Sequence, residues 1–561
     1  MKKIFAIVGA VLMMGMTSCV HNLNVESIDP NTKSTIDMQE LFVKCYATLA
    51  LTGQKGPDGN GDVAGLDEGT SSFYRMMFSL NEYCADQIYW IWPDVCVDDI
   101  RKATWNSSNA LVRGVYSRFY FDITLCNLFI DKFAEEAGPR KTAEVRFIRA
   151  LNYYYLLDMF GNVPKVWKSG LMDLPEQYQR ADLYKDLIAE LESLEGDLAP
   201  AGNRESYYRV DQAAAWLLLS RIYLNAAIYT GKPEAECKAD YDKAAEYADK
   251  VINSSYDLAS EYRFLFMGDN DNLSAVNDAY KEIILPVGQD GIETQSWGGS
   301  LFLIASCYTG GMPASGTTEA WKCIRSRAQL VQLFCPQFKR PVEAKTAAEA
   351  ATVYGACAGG PAEITAAAKD DRAMLINCNG DGYVTNFWKT RDGDDFYSGW
   401  GIVKYSNLMA DGTRNARDTK FPDTDLVLMR KAEAYLNYAE AVLRGGAQKT
   451  LTVDEAVNTV RRRSIADTSL SDVTGWNITD KPGAVGGKNI LDERGRELYA
   501  EGFRRSDLIR FHKFTGKAYA WEWKGGAILG AQADIPEYRN LYPLPLAEVT
   551  ANHNLKQNEG Y

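Results

Sequence analysis

This chain of 561 residues has few of the side chains that carry out chemistry. Only three histidines occur: His21, His512 and His553. HExxH, GxSxG and GxxxxGK[ST] are all missing, so zinc hydrolysis, serine acyl transfer and P-loop phosphate handling have no signature here. No two of the 11 cysteines are spaced CxxC, which leaves no zinc or redox pair to read. Basic clusters are absent too. With 61 Lys and Arg against 74 Asp and Glu, the net charge is -13, which argues against a nucleic-acid partner. Past the first nineteen residues no apolar run is long enough to span a bilayer. No cofactor, metal centre or enzymatic activity is expected; paired carboxylates are too common in so acidic a chain to mark a glycosidase.

Aromatic residues are plentiful: 32 Tyr and 12 Trp. The chain is organised around residues 209–252. Its first half, RVDQAAAWLLLSRIYLNAAIYTG, is apolar nearly all round and predicts a buried helix. In its second half Tyr241, Ala244, Ala245, Ala248, Val251 and Ile252 recur three and four apart, giving one face of a partner helix. Trp216, Leu219, Ser220 and Tyr223 have the large–large–small–large spacing of a tetratricopeptide (TPR) first helix. Tyr116, Phe119, Tyr120 and Ile123 repeat it, followed by Ala143, Phe147 and Ala150 at second-helix spacing. Tyr435, Tyr438, Ala439 and Val442, then Ala456 and Val460, form a looser copy. In a stack of such hairpins the same helix can be read as first or second of a pair.

Lys2 and Lys3 precede an apolar run from Ile4 to Met16, and Met16-Thr17-Ser18-Cys19 follows. This resembles a bacterial lipobox, with residues 1–18 a lipoprotein signal peptide and Cys19 the lipidated mature N-terminus. Residues 19–35 read as a tether. Residues 36–256 read as an N-terminal helical, TPR-like part with an aromatic loop, residues 257–423 as an irregular, loop-rich ligand-binding lobe, and residues 424–561 as a C-terminal helical part. After export Cys307, Cys323, Cys335 and Cys357 are candidates for pairing, with connectivity open. Asn377, Asn379, Asp381 and Gly382 mimic the start of an EF-hand loop, but Trp388 stands where its glutamate belongs, so a turn is expected instead.

In the C-terminal part Glu493, Glu497 and Glu501 lie four apart, with Arg494, Arg504 and Arg505 three or four residues from one of them, a ladder of expected ion pairs. The run Glu493-Arg494, Glu497-Leu498, Glu501-Gly502, Arg505, Asp507-Leu508 and Arg510 is similar to one shared by the SusD/RagB family of nutrient-binding outer-membrane lipoproteins. So are Pro543 and Pro545 and the closing Gln557-Asn558-Glu559-Gly560-Tyr561. The resemblance implies a mostly α, SusD-like fold. It also implies a lipid-anchored protein at the cell surface that binds oligo- or polysaccharide and delivers it to a TonB-dependent, SusC-like transporter. A RagB-like peptide binder, or a TPR scaffold without nutrient ligand, is the alternative.

Sugar rings have an apolar face that stacks on indole or phenol. Tyr89, Trp90 and Trp92 form one candidate glycan-binding stretch, and Trp297, Tyr308 and Trp321 another, beside Gln295. The resemblance implies an aromatic arc drawn from about these two regions.

Overall fold

The computed structural model describes residues 36–561 apart from 95, 203–206, 272–275, 310–311, 337–359, 377–399, 415–416, 522–523 and 527–533. The signal peptide, Cys19, the tether, the EF-hand-like stretch and Cys357 lie outside the described residues.

Short polar caps start several of the helices. Asp37 caps α1 (Met38–Ala50) and Ser72 caps α2 (Phe73–Glu82), each accepting a first-turn N–H. Asn109 accepts from Leu111 and Val112 to start α3 (Ala110–Met159). That element is not one rod. Gly138 has φ 76° and precedes Pro139, a pairing that breaks the helix. The rings of Phe119 and Tyr155 then stack 5.5 Å apart, whereas a straight helix would separate them by about 54 Å. The two arms of α3 are therefore a hairpin, and Arg146 and Arg149 of its second arm hold Glu190 on α4 (Arg180–Leu194).

Asp211 caps α5 (Gln212–Leu224), which pairs with α6 (Lys238–Ile252). Ser220 is the close-approach residue, its hydroxyl donating to the Ala244 carbonyl at 3.1 Å. Tyr223 and Tyr247 stack beside it with planes 10° apart. On α6 packs α8 (Lys431–Leu443), and on α8 packs α9 (Val453–Arg462), so the hairpins stack and bury one continuous core.

Between these helices lie α7 (Gly299–Cys307) and short strands. β1 (Ile88–Trp90) pairs antiparallel with β3 (Ile324–Ser326), and β2 (Ile283–Val287) with β6 (Leu426–Arg430). β4 (Leu375–Ile376) pairs with β5 (Gly401–Ile402). Cys307 and Cys323 are free thiols.

The C-terminal charges form ion pairs, but not the local ladder. Glu493, Glu497 and Glu501 are buried, and they reach other elements. Glu493 takes Arg372 and Arg461; Glu497 takes Arg430, Arg463 and Arg372; Glu501 takes Arg430 and Lys404. Arg494, Arg504 and Arg505 turn instead to Asp507, Asp86 and Asp158. For Glu501, Arg504 and Arg505 the cause is a break in the helix. α10 (Ile490–Glu497) ends before α11 (Arg504–Arg510), and Ala500 and Gly502 between them have positive φ, so the 493–505 spacing does not stay on one face.

Candidate functional site

Strand alternation sorts the first aromatic cluster. In β1 successive side chains point to opposite faces, so Trp90 and Tyr89 diverge. Trp90 joins Tyr83, Trp92 and Phe302. Tyr89 goes behind the strand, where its ring lies between the guanidinium groups of Arg101 and Arg327 and its hydroxyl accepts from Arg101 at 3.0 Å.

Pairing of β1 with β3 delivers the second cluster. The Ile91 N–H donates to the Cys323 carbonyl at 2.7 Å, which brings the segment carrying Trp321 alongside the one carrying Trp92. Trp321 is fixed by its own N–H to the Ala305 carbonyl, 2.6 Å, and by Nε1 to Glu319 Oε2, 3.0 Å. Trp297 sits on the turn before α7. Its ring lies 6.3 Å from that of Trp321, with planes at 43°, and 5.6 Å from Phe421, and the Lys420 ammonium stands 4.8 Å over it.

Trp90, Trp92, Trp297 and Trp321 thus line a single open cavity of about 470 Å³. They are not equivalent. Trp92, Trp297 and Trp321 are half-buried and present ring surface, whereas Trp90 is 1% exposed and serves as the back wall. Two of the six expected residues do not reach the cavity. Tyr89 is placed behind the sheet by its strand parity. Tyr308 is buried because it directly follows α7, all of whose residues are buried, and its carbonyl is used by the Lys322 N–H.

Polar residues that the aromatic pattern did not flag complete the lining. Arg75 on α2 lays its guanidinium 4.8 Å over Phe302 and 5.5 Å from the Trp90 ring, and Asp94 accepts from Trp90 Nε1 at 2.9 Å. Asp67 and Thr70 come from the Gly- and Asp-rich loop. An arginine inside FYRMMF was the available signal for the first of these. A sugar offers ring faces to the indoles and hydroxyls to the guanidinium and carboxylates, and this cavity carries both kinds of partner. Burial pushes the Cys323 thiol up to about 12 and raises the Tyr83 phenol further, so both stay protonated. Neither His512 nor His553 lines the cavity.

Comparison with known proteins agrees along the chain. The model of the SusD family matches residues 314–561, and a model described as starch-binding, associating with the outer membrane, matches residues 23–224. The chain is 40% identical to the starch-binding protein SusD of Bacteroides thetaiotaomicron, over 98% of this chain and 97% of that one. It is 25% identical to SusD-like protein P25 of Formosa agariphila, over 99% of each. Among solved structures, surface glycan-binding protein A from Bacteroides fluxus covers 93% of this chain and 99% of its own, with TM-score 0.64 at 18% identity. The Bacteroides thetaiotaomicron protein of the same name, solved with laminarihexaose, covers 93% of this chain and 98% of its own, with TM-score 0.61 at 18% identity. The helical stack, the aromatic cavity and a near-full-length relative point one way: this chain belongs to the SusD family.

Proposed function

We propose that the mature protein is a non-catalytic glycan binder, anchored through lipidated Cys19 at the outer face of the outer membrane. It captures an oligo- or polysaccharide and passes it to a TonB-dependent, SusC-like transporter. One observation carries the reading: Trp92, Trp297 and Trp321, far apart in sequence, converge with Arg75 and Asp94 on one open cavity. The 40% identical relative is named for starch, which makes an α-glucan the first ligand to try. The 43° tilt between Trp297 and Trp321 supports that choice, because a bent pair of rings follows a chain that curves from one sugar to the next. No helix among the described residues is long and apolar enough to cross a membrane, so anchoring rests on the acyl chains, each buried CH₂ contributing about 0.8 kcal/mol.

Isothermal titration of the mature protein with maltoheptaose and with laminarihexaose tests the reading. Saturable binding of maltoheptaose, lost in the Trp297→Ala/Trp321→Ala double variant and without release of reducing ends, is expected. Binding that survives the double variant would remove the cavity from the mechanism. Copurification of a large outer-membrane β-barrel with the tagged, lipidated protein tests the transporter.

A further inference from the structure

Trp297 owes its place to a residue outside the cavity lining. Glu68 is 6% exposed, and among the described residues no cation pairs with it. Both of its oxygens are used by neutral donors. Oε2 accepts the backbone N–H of Trp297 at 2.9 Å, and Oε1 accepts the Ser296 hydroxyl at 2.6 Å and the hydroxyl of Thr52. Ser296 Oγ in turn accepts the Gly298 N–H at 2.9 Å, so one carboxylate fixes three consecutive residues ahead of α7. A carboxylate accepting several N–H and O–H bonds in a buried setting holds its partners more tightly than neutral pairs do.

The next residue reinforces this. A Cβ on Gly69 would stand 2.5 Å from the Trp297 Cβ and 2.7 Å from its carbonyl carbon, so the two loops touch backbone to backbone. On the far side the Trp297 ring meets the side chains of Phe421, Trp321 and Lys420. The Glu68 side sets where the ring begins.

We propose that Glu68 is a positioning residue for glycan binding, holding the Trp297 indole at the cavity through the Trp297 backbone N–H. This rests on the reading of the cavity as a glycan site. Glu68→Ala removes the acceptor. Glu68→Gln keeps one, because its amide can turn Oε1 to the Trp297 N–H and offer Nε2 to the two hydroxyl oxygens.

Two measurements on the full mature protein test the proposal. With 5-fluorotryptophan incorporated, the ¹⁹F resonance of Trp297, assigned by its loss in Trp297→Phe, should shift or broaden in Glu68→Ala and stay in place in Glu68→Gln. An unmoved resonance in Glu68→Ala overturns the proposal whatever the ligand. Titration with maltoheptaose should show affinity about tenfold lower in Glu68→Ala, near wild type in Glu68→Gln, and no further loss when Glu68→Ala is added to Trp297→Ala. Equal losses in both backgrounds would mean a general structural role or direct contact with sugar, and would also overturn it. If wild type fails to bind maltoheptaose, the α-glucan reading falls while the ¹⁹F result still decides Glu68.

Discussion

The indoles of Trp297 and Trp321 lie 6.3 Å apart and inclined at 43°, although one is held by Glu68 and the other by the Ala305 carbonyl of α7 and by Glu319. Two half-buried rings, each held by its own hydrogen bonds, make a platform that survives loss of either ring. Trp321→Ala and Trp92→Ala are each expected to weaken maltoheptaose binding about tenfold, equivalent to about 1.4 kcal/mol, with thermal midpoints little changed. Titration beside a melting curve checks both halves of that statement.

Trp90 should behave differently. It is enclosed by Tyr83, Trp92, Phe302 and the Arg75 guanidinium. Removing so large a buried ring leaves a cavity, and Trp90→Ala is expected to destabilise the fold by about 3–5 kcal/mol. Denaturant unfolding measures this. A Trp90→Ala protein of normal stability that has lost only sugar binding would mean the ring is more accessible than its burial implies.

Gly69 allows a sharper steric test. Gly69→Ala places a methyl against the Trp297 backbone, and overpacking of this kind costs about 1–3 kcal/mol. The strain falls on the turn that carries the ring, so affinity for maltoheptaose should drop along with stability. Gly170, whose added Cβ would meet nothing within 4 Å, is the control for glycine loss as such, although its positive φ still carries a small backbone cost.

Stability should peak in mildly acidic solution. Burial pushes the Glu82 carboxyl up to about 8 from 4.5, against the pull of the Gly502 amide, and burial pushes Asp122 up to about 8 despite Arg118. Between about 4.5 and 8 the native state therefore holds protons that the unfolded chain has released, and stability falls as pH rises. Glu440 has the opposite sign. Burial opposes its charge, but Arg510 and Arg444 outweigh burial and hold it down to about 2, so its stabilisation is lost as pH falls from about 4.5 toward 2. Urea unfolding across pH 3–9 should show the maximum near pH 5. Glu82→Gln, which still offers an acceptor to the Gly502 and Phe503 N–H groups, should flatten part of the alkaline-side decline.

The buried C-terminal ion network should tolerate no single truncation. Glu497→Ala takes one carboxylate from each of Arg430, Arg372 and Arg463, which then keep only Glu282 and Glu501, Asp370 and Glu493, and Glu282, and removing one partner from a buried cluster costs up to about 3–5 kcal/mol. Denaturant unfolding of Glu497→Ala beside the exposed-pair control Lys185→Ala checks this, the control being expected within about 0.5 kcal/mol of wild type.

The sequence by itself determined the helical hairpins. Apolar spacing of three and four residues is a local property, so Ser220 against Ala244 and the two arms of α3 could be read without knowing their neighbours. It also placed four of the aromatics that line the cavity, Trp90, Trp92, Trp297 and Trp321, in two short stretches. Tertiary structure alone decided which of them face solvent. Tyr89 and Trp90 are adjacent, and only the pairing of β1 with β3, more than two hundred residues away, settles which ring meets the cavity. The same holds for charge. Arg494 and Glu497 stand three apart on one helix, yet each reaches a different partner, because a buried ion is satisfied by whatever the fold brings within hydrogen-bonding distance. The bond from Glu68 to the Trp297 N–H spans 229 residues, and no periodicity within either loop could have announced it.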